Sequence, residues 1–157
     1  MINIELLNIE DTELVQEYSD LIMEVMSEFN KEEIDGFQIW FASVEGVTTR
    51  KEMDCSGFDT VQFIAKSNGS IIGALEVEDM NHIQSFFVKK EFQNKGVGRQ
   101  LYNHSLNYFS ENGFDVKYYS VYASDYAIGF YKKLGFSGEG KHLTLMREDA
   151  KEQRLAA

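Results

Sequence analysis

Three apolar runs crowd the middle of the chain: TVQFIAK (60–66), SIIGALEVE (70–78) and HIQSFFV (82–88). Each is rich in β-branched or aromatic residues, and the first two meet around Asn68-Gly69. Asn-Gly is the strongest short signal for a tight hairpin, because both residues accept positive φ. The centre of the chain is therefore expected to be an antiparallel meander. The pattern then changes: QNKGVGRQL (93–101) puts a basic, glycine-rich turn after a strand and before RQLYNHSLNYFSEN. That second segment has helical periodicity, and Gly113 is placed to end it.

The flanks read in the same way. INIELL alternates as a short strand. Asp11 or Thr12 can cap a helix with Leu14, Tyr18, Leu21, Val25 and Phe29 on its buried stripe. Ile34, Phe37, Phe41 and Val44 mark a second helix, and VTTRKEMDCSGFD reads as a loop. Later come a strand in FDVKYYSVY and a helix in SDYAIGFYKKL, with Ser124 as N-cap and Gly135 as stop. FSGEGKHLTLMRE reads as a closing hairpin. This order predicts an α+β fold. A mixed, mostly antiparallel twisted sheet of about seven strands carries four helices on its faces. One domain is expected over residues 1–150, with a frayed tail at 151–157.

Composition narrows the function. At 157 residues and 43% hydrophobic, the chain can bury a real core. One cysteine, Cys55, precludes an intrachain disulfide, and three histidines without Cys/His clusters argue against a metal site. There is no signal-like N-terminus and no apolar run of bilayer-spanning length, so a cytoplasmic protein without membrane contact is expected. The formal charge is −11, and residues 1–35 hold eleven acids and one base. Residues 89–99, KKEFQNKGVGR, reverse this with four bases and one acid. An acidic chain with one basic island disfavours nucleic acid and suits a small anion at the island.

A helix N-terminus offers unpaired N–H groups and partial positive charge, and glycine there lets a phosphate approach closely. A dinucleotide fingerprint would need a third glycine where Leu101 stands. A Walker loop would need wider glycine spacing and a following Lys-Ser/Thr. Gly96-x-Gly98 alone also fits a plain tight turn.

Gln93-x-x-Gly96-x-Gly98 after HIQSFFV resembles the acetyl-coenzyme A motif of the GNAT superfamily of N-acetyltransferases. YASDYAIGFYKKLGF (122–136) resembles that family's second signature, and the element order over residues 2–147 is similar too. The resemblance implies a sheet splayed between its fourth and fifth strands. It implies that backbone around Asn94, Lys95, Gly96, Val97, Gly98 and Arg99, with Gln93, holds the cofactor's pyrophosphate. The pantetheine arm would pair along Phe86, Phe87 and Val88, with the Phe86 N–H steadying the thioester oxygen. Tyr131 matches the tyrosine that protonates the departing thiolate, and it also shares a helix with core positions. Ser124 stands where many relatives have asparagine. Its hydroxyl can bond pantetheine or cap the helix.

The resemblance further implies acetyl transfer to a primary amine by direct attack, without a metal. Something must take the amine's proton. His82 occupies the position at which the histone-modifying branch has its glutamate. An imidazole suits a general base, and it equally suits a cap on the turn between strands. Glu76 and Glu78, at the end of the preceding strand, are the next candidates, or else a solvated strand end. Cys55 reads as a bystander. In similar proteins the first two helices line the acceptor side. Here that segment is acidic, which favours a cationic small molecule or a lysine or N-terminal amine. Phe37, Trp40 and Phe41 suit either an apolar wall there or the core. The chain would act as a monomer or homodimer. A non-catalytic acetyl-coenzyme A sensor or regulatory module is the alternative reading, followed by an interaction domain with a purely structural glycine turn.

Overall fold

Asn68 and Gly69 adopt φ of +52° and +80°. They close the predicted hairpin between strands Thr60–Ser67 and Ser70–Glu78, which pair antiparallel. The structure is a computed structural model. It describes residues 1–29, 36–52, 60–123 and 125–146, without the side chains of Phe29, Glu52 and Tyr126. Its strands are β1 (Ile2–Leu6), β2 (Thr60–Ser67), β3 (Ser70–Glu78), β4 (His82–Val88), β5 (Tyr118–Tyr122), β6 (Ser137–Glu139) and β7 (His142–Met146). They form one sheet in the order β1-β2-β3-β4-β5-β7-β6. Every pairing is antiparallel except β4 with β5. The predicted mixed, mostly antiparallel α+β sheet is therefore present.

The helices are α1 (Thr12–Phe29), α2 (Gly36–Ala42), α3 (Val44–Glu52), α4 (Val97–Glu111) and α5 (Ile128–Lys133). Asp11 caps α1 by accepting the Leu14 N–H at 3.1 Å. The second predicted helix breaks at Ser43. Its hydroxyl donates to the Trp40 carbonyl at 2.6 Å and accepts the Gly46 N–H at 3.0 Å, so it ends α2 and caps α3 together. Gly46 is required here, since a Cβ would lie 1.9 Å from the Trp40 oxygen. Residues 47–52, read as loop, are thus helical. Their weak apolar periodicity hid a helix that is held by tertiary contacts instead of an amphipathic stripe. A short 3₁₀ turn (Asp125–Ala127) leads into α5, and Gly135 ends it at φ +102°.

The sheet separates two apolar layers. One packs α1, α2 and α3 on β2 and β3 through Tyr18, Ile22, Phe41, Val47, Ile64 and Ala74. The other packs α4 on the opposite face through Phe63, Leu75, Leu101, Phe109 and Tyr119. Tyr119 meets Ser105 of α4 at 2.7 Å. Phe63 is fully buried, with edge-on contacts to His104, Tyr108 and Phe109 of α4. Phe63→Ala is expected to lower the unfolding free energy by about 3–5 kcal/mol, read by urea denaturation.

Candidate active site

β4 and β5 pair only at His82–Ser120 and Ile83–Val121. Beyond Ile83, β4 continues to Val88 bonded to β3 alone. The cause lies on the β3 side. Val77 pairs with Ile83 and Glu76 with Ser85, so Gln84 is an extra residue in β4. Such a bulge bends the strand and increases its twist. The Lys89 N–H donates to the Ile72 carbonyl of β3 at 2.8 Å. Strand alternation from that bond turns the N–H and C=O of Phe86 and Val88 toward the splayed side. Gln93 meets one of these groups, its Nε2 donating to the Val88 carbonyl at 2.9 Å.

The splay opens into a cleft of about 740 Å³. One wall is Gln84–Val88 of β4, and the opposite wall is Val121 and Tyr122 of β5 and the following Ala123, with Phe130 and Tyr131 of α5 and Leu134 just past its end. The glycine turn closes one end. Asn94 and Gly96 have φ of +62° and +82°, which turns the chain sharply into α4. Gly96 has no Cβ to strain that conformation. By helix geometry the N–H groups of Val97, Gly98 and Arg99 lack intrahelical acceptors. All three residues line the cleft, as do Gln93, Asn94 and Gly96. A Cβ on Gly98 would touch Phe86, Phe130 and Leu134 at 3.5–3.7 Å, so a larger side chain there would compete for the cleft. Arg99 and Lys133 add positive charge at this end. Unpaired N–H groups, two cations and an open strand edge form a chemically coherent site for an extended ligand with an anionic diphosphate.

Most residues singled out from the sequence meet here: Phe86, Phe87, Val88, Gln93, Asn94, Gly96, Val97, Gly98, Arg99 and Tyr131 all line the cleft. Lys95 does not; it is exposed, with its ammonium 5.7 Å from the Phe92 ring. Ser124 lies outside the described residues, as do Cys55 and Ile34. Tyr131 is buried, edge-on to Phe86, Phe130 and Phe136.

The three candidate bases fall elsewhere. His82 sits where β4 and β5 still pair, with Nδ1 3.0 Å from the Ser120 hydroxyl, and is not a lining residue. Glu78 is half-buried beside the Gln84 amide, whose nitrogen, turned inward, lies 2.8 Å from Oε2. Glu76 requires a larger correction. It is no solvated strand end but fully buried. Arg50 grips it through Nε at 2.7 Å and Nη2 at 3.2 Å. Tyr18 donates to it at 3.1 Å, Gln62 at 3.4 Å and Ser85 at 3.4 Å. The periodicity of β3 placed Glu76 on one face but could not show that three helices cover that face.

Arg50 is the residue that sequence reasoning missed, because it lay in the presumed loop. Its Nη1 donates to the Phe41 carbonyl at 2.6 Å, and its guanidinium carbon stands 3.6 Å from the Phe41 ring centre. Phe41 and Phe37 also line the cleft, with Val25 and Met26 of α1, whereas Trp40 does not. Phe37, which the sequence left open between an apolar wall and the core, is 66% exposed. Among the described residues, no group of three or more His, Cys, Asp or Glu could hold a metal ion. No helix among them is long and apolar enough to cross a membrane.

A family model described as "Acetyltransferase (GNAT) domain" matches residues 25–144. The chain belongs to the GNAT acetyltransferase family. Solved structures share the fold at low identity. A PaiA N-acetyltransferase from Thermoplasma acidophilum, in complex with coenzyme A, is 20% identical with a TM-score of 0.70. It covers 92% of this chain and 96% of its own. An aminoglycoside acetyltransferase from an uncultured soil metagenomic sample, in complex with sisomicin, is 20% identical with a TM-score of 0.60, covering 88% and 90%. Glucosamine-6-phosphate N-acetyltransferase from Arabidopsis thaliana is 18% identical with a TM-score of 0.57, covering 89% and 94%.

The buried polar cluster has a signature in pH. Burial, and next the Glu76 carboxylate, push the Tyr18 hydroxyl well above the ordinary tyrosine range. Burial raises Tyr119 as well, against the opposing Ser105 hydrogen bond. Both groups stay protonated in the folded chain at a pH where the unfolded chain releases its protons. Their contribution to stability is thus complete below about pH 10 and falls as pH rises beyond it. Urea unfolding from pH 8 to 11 is expected to show that decline, and Tyr18→Phe to reduce it. Arg50→Met, which strands the Glu76 charge, is expected to cost about 3–5 kcal/mol at pH 7 in the same assay.

Proposed function

We propose that this chain transfers an acetyl group from acetyl-coenzyme A to a primary amine, by direct attack within a ternary complex. One observation carries the reading. The splayed β4 edge, the N-terminus of α4 and Tyr131 border a single cleft. Acetyl-coenzyme A would supply an activated thioester. The N–H groups of Val97, Gly98 and Arg99 would hold its diphosphate, with Arg99 and Lys133 adding charge. The Phe86 and Val88 backbone would hold the pantetheine arm, and the Phe86 N–H would meet the thioester oxygen as negative charge builds there.

Tyr131 would protonate the leaving thiolate. With ordinary pKa values of about 10 for tyrosine and about 8.5 for a thiol, the transfer is uphill by about 2 kcal/mol. A preorganised site offsets that amount. None of His82, Glu76 and Glu78 lines the cleft, which argues against each as the direct base. Deprotonation by water, or through Ser85, whose residue does line the cleft, fits the geometry better.

Acetyl-coenzyme A at saturating concentration is expected to raise the melting temperature, and Gly98→Leu to abolish the rise. An unmoved melting temperature overturns the reading. Tyr131→Phe should lower kcat by about 10²-fold or more with cofactor affinity retained, read by thiol release and calorimetry. An unchanged kcat would remove Tyr131 from the chemistry. Cofactor binding without thiol release for any amine would favour the sensor reading.

A further inference from the structure

The inference rests on the acetyltransferase reading and concerns the acceptor half of the same cleft. The same cleft is also lined by Val25 and Met26 of α1, Phe37 and Phe41 of α2, and Tyr122 of β5. Phe37 and Tyr122 are 66% and 59% exposed, large aromatic surfaces that both line the cleft. A ligand that covers them gains by removing apolar area from solvent. Phe37 leans on Phe41 with ring centres 6.3 Å apart. Arg50 fixes Phe41 through its carbonyl and the face of its ring, while the rest of the guanidinium holds Glu76. The wall is therefore braced before any ligand arrives, which limits the ordering cost of binding.

The α1 acids Glu13, Asp20, Glu24 and Glu28 are exposed, whereas the residues that α1 sends to the cleft are Val25 and Met26. The cations that line the cleft, Arg99 and Lys133, stand by the glycine turn, where Arg99 donates to the Leu134 carbonyl. The −11 charge of the chain attracts an ammonium from a distance, but the described wall receives an apolar body. We propose that the acceptor is a monoamine carried on an apolar, ring-sized body, an arylalkylamine, in preference to a polyamine or an aminoglycoside. The neutral amine nitrogen would attack the thioester carbon. The C–N bond forms and the C–S bond breaks. The amine loses one proton to solvent and the thiolate gains one, leaving an amide and free coenzyme A.

The test compares 2-phenylethylamine, spermidine and kanamycin on the full chain, by thiol release and by calorimetric binding to the protein–coenzyme A complex. We expect kcat/KM for 2-phenylethylamine to exceed both others by about 10-fold or more. Phe37→Ala, at an exposed position that spares the fold, should raise its KM about 5–10-fold and leave the KM for acetyl-coenzyme A unchanged. Spermidine or kanamycin equalling 2-phenylethylamine overturns the proposal, as does an unmoved KM in Phe37→Ala. Absence of a melting shift with acetyl-coenzyme A overturns the acetyltransferase reading and this proposal with it. If the shift is present but no amine turns over, calorimetry decides. Tighter binding of 2-phenylethylamine than of spermidine upholds the subsite, and the reverse order overturns it.

Discussion

Two strands that pair for two residues and then part are the constraint on which this molecule is built. β4 and β5 share His82–Ser120 and Ile83–Val121, and no later residue of either continues the ladder. A sheet normally satisfies both edges of an interior strand. Here one edge of β4 is left open past Ile83, in the middle of a seven-stranded sheet. Open backbone inside a fold is costly unless water or a ligand meets it. The Gln93 side chain answers part of that cost at the Val88 carbonyl. The rest of the edge faces the cleft.

What keeps the strands apart lies behind β4. The bulge at Gln84 occurs where Glu76 pairs with Ser85, and Glu76 is the most heavily bonded buried carboxylate among the described residues. Through it the sheet holds Tyr18 of α1 and Arg50 of α3, and through Arg50 also the Phe41 carbonyl of α2. A buried ion pair contributes little net stability over a well-packed apolar pair, but losing one partner is expensive. Its consequence is geometric: three helices and the bulged strand pair share one anchor. The apolar face of α2 that lines the cleft is thereby set at a fixed place relative to the strand edge on β4.

Far from the anchor, the glycine turn does a separate task. Gly96 lets the chain turn at positive φ into α4, and Gly98 leaves the cleft open where a side chain would touch Phe86, Phe130 and Leu134. The two devices meet only through β4. Strand and helix ends thus bring backbone N–H groups, two cations and Tyr131 to one space, though they are spread over some forty residues of chain.

Local chemistry alone determined the Asn68-Gly69 hairpin, a helix cap at Asp11 or Thr12, the glycine stops at Gly113 and Gly135, and the basic turn at residues 93–99. Each depends on neighbours in sequence, where backbone propensity and side-chain spacing act directly. The family resemblance likewise rested on two contiguous motifs. Tertiary structure alone decided which side of a strand is covered, and so which carboxylate is free. Glu76 and Glu78 alternate identically in sequence, yet one is sealed beneath three helices and the other is half-buried. Arg50 was illegible for the same reason, since its partners lie 26 residues away on β3 and on the neighbouring helix α2. His82 stayed out of the cleft because β4 and β5 are still paired at its level, and a register between distant strands is written in no local pattern.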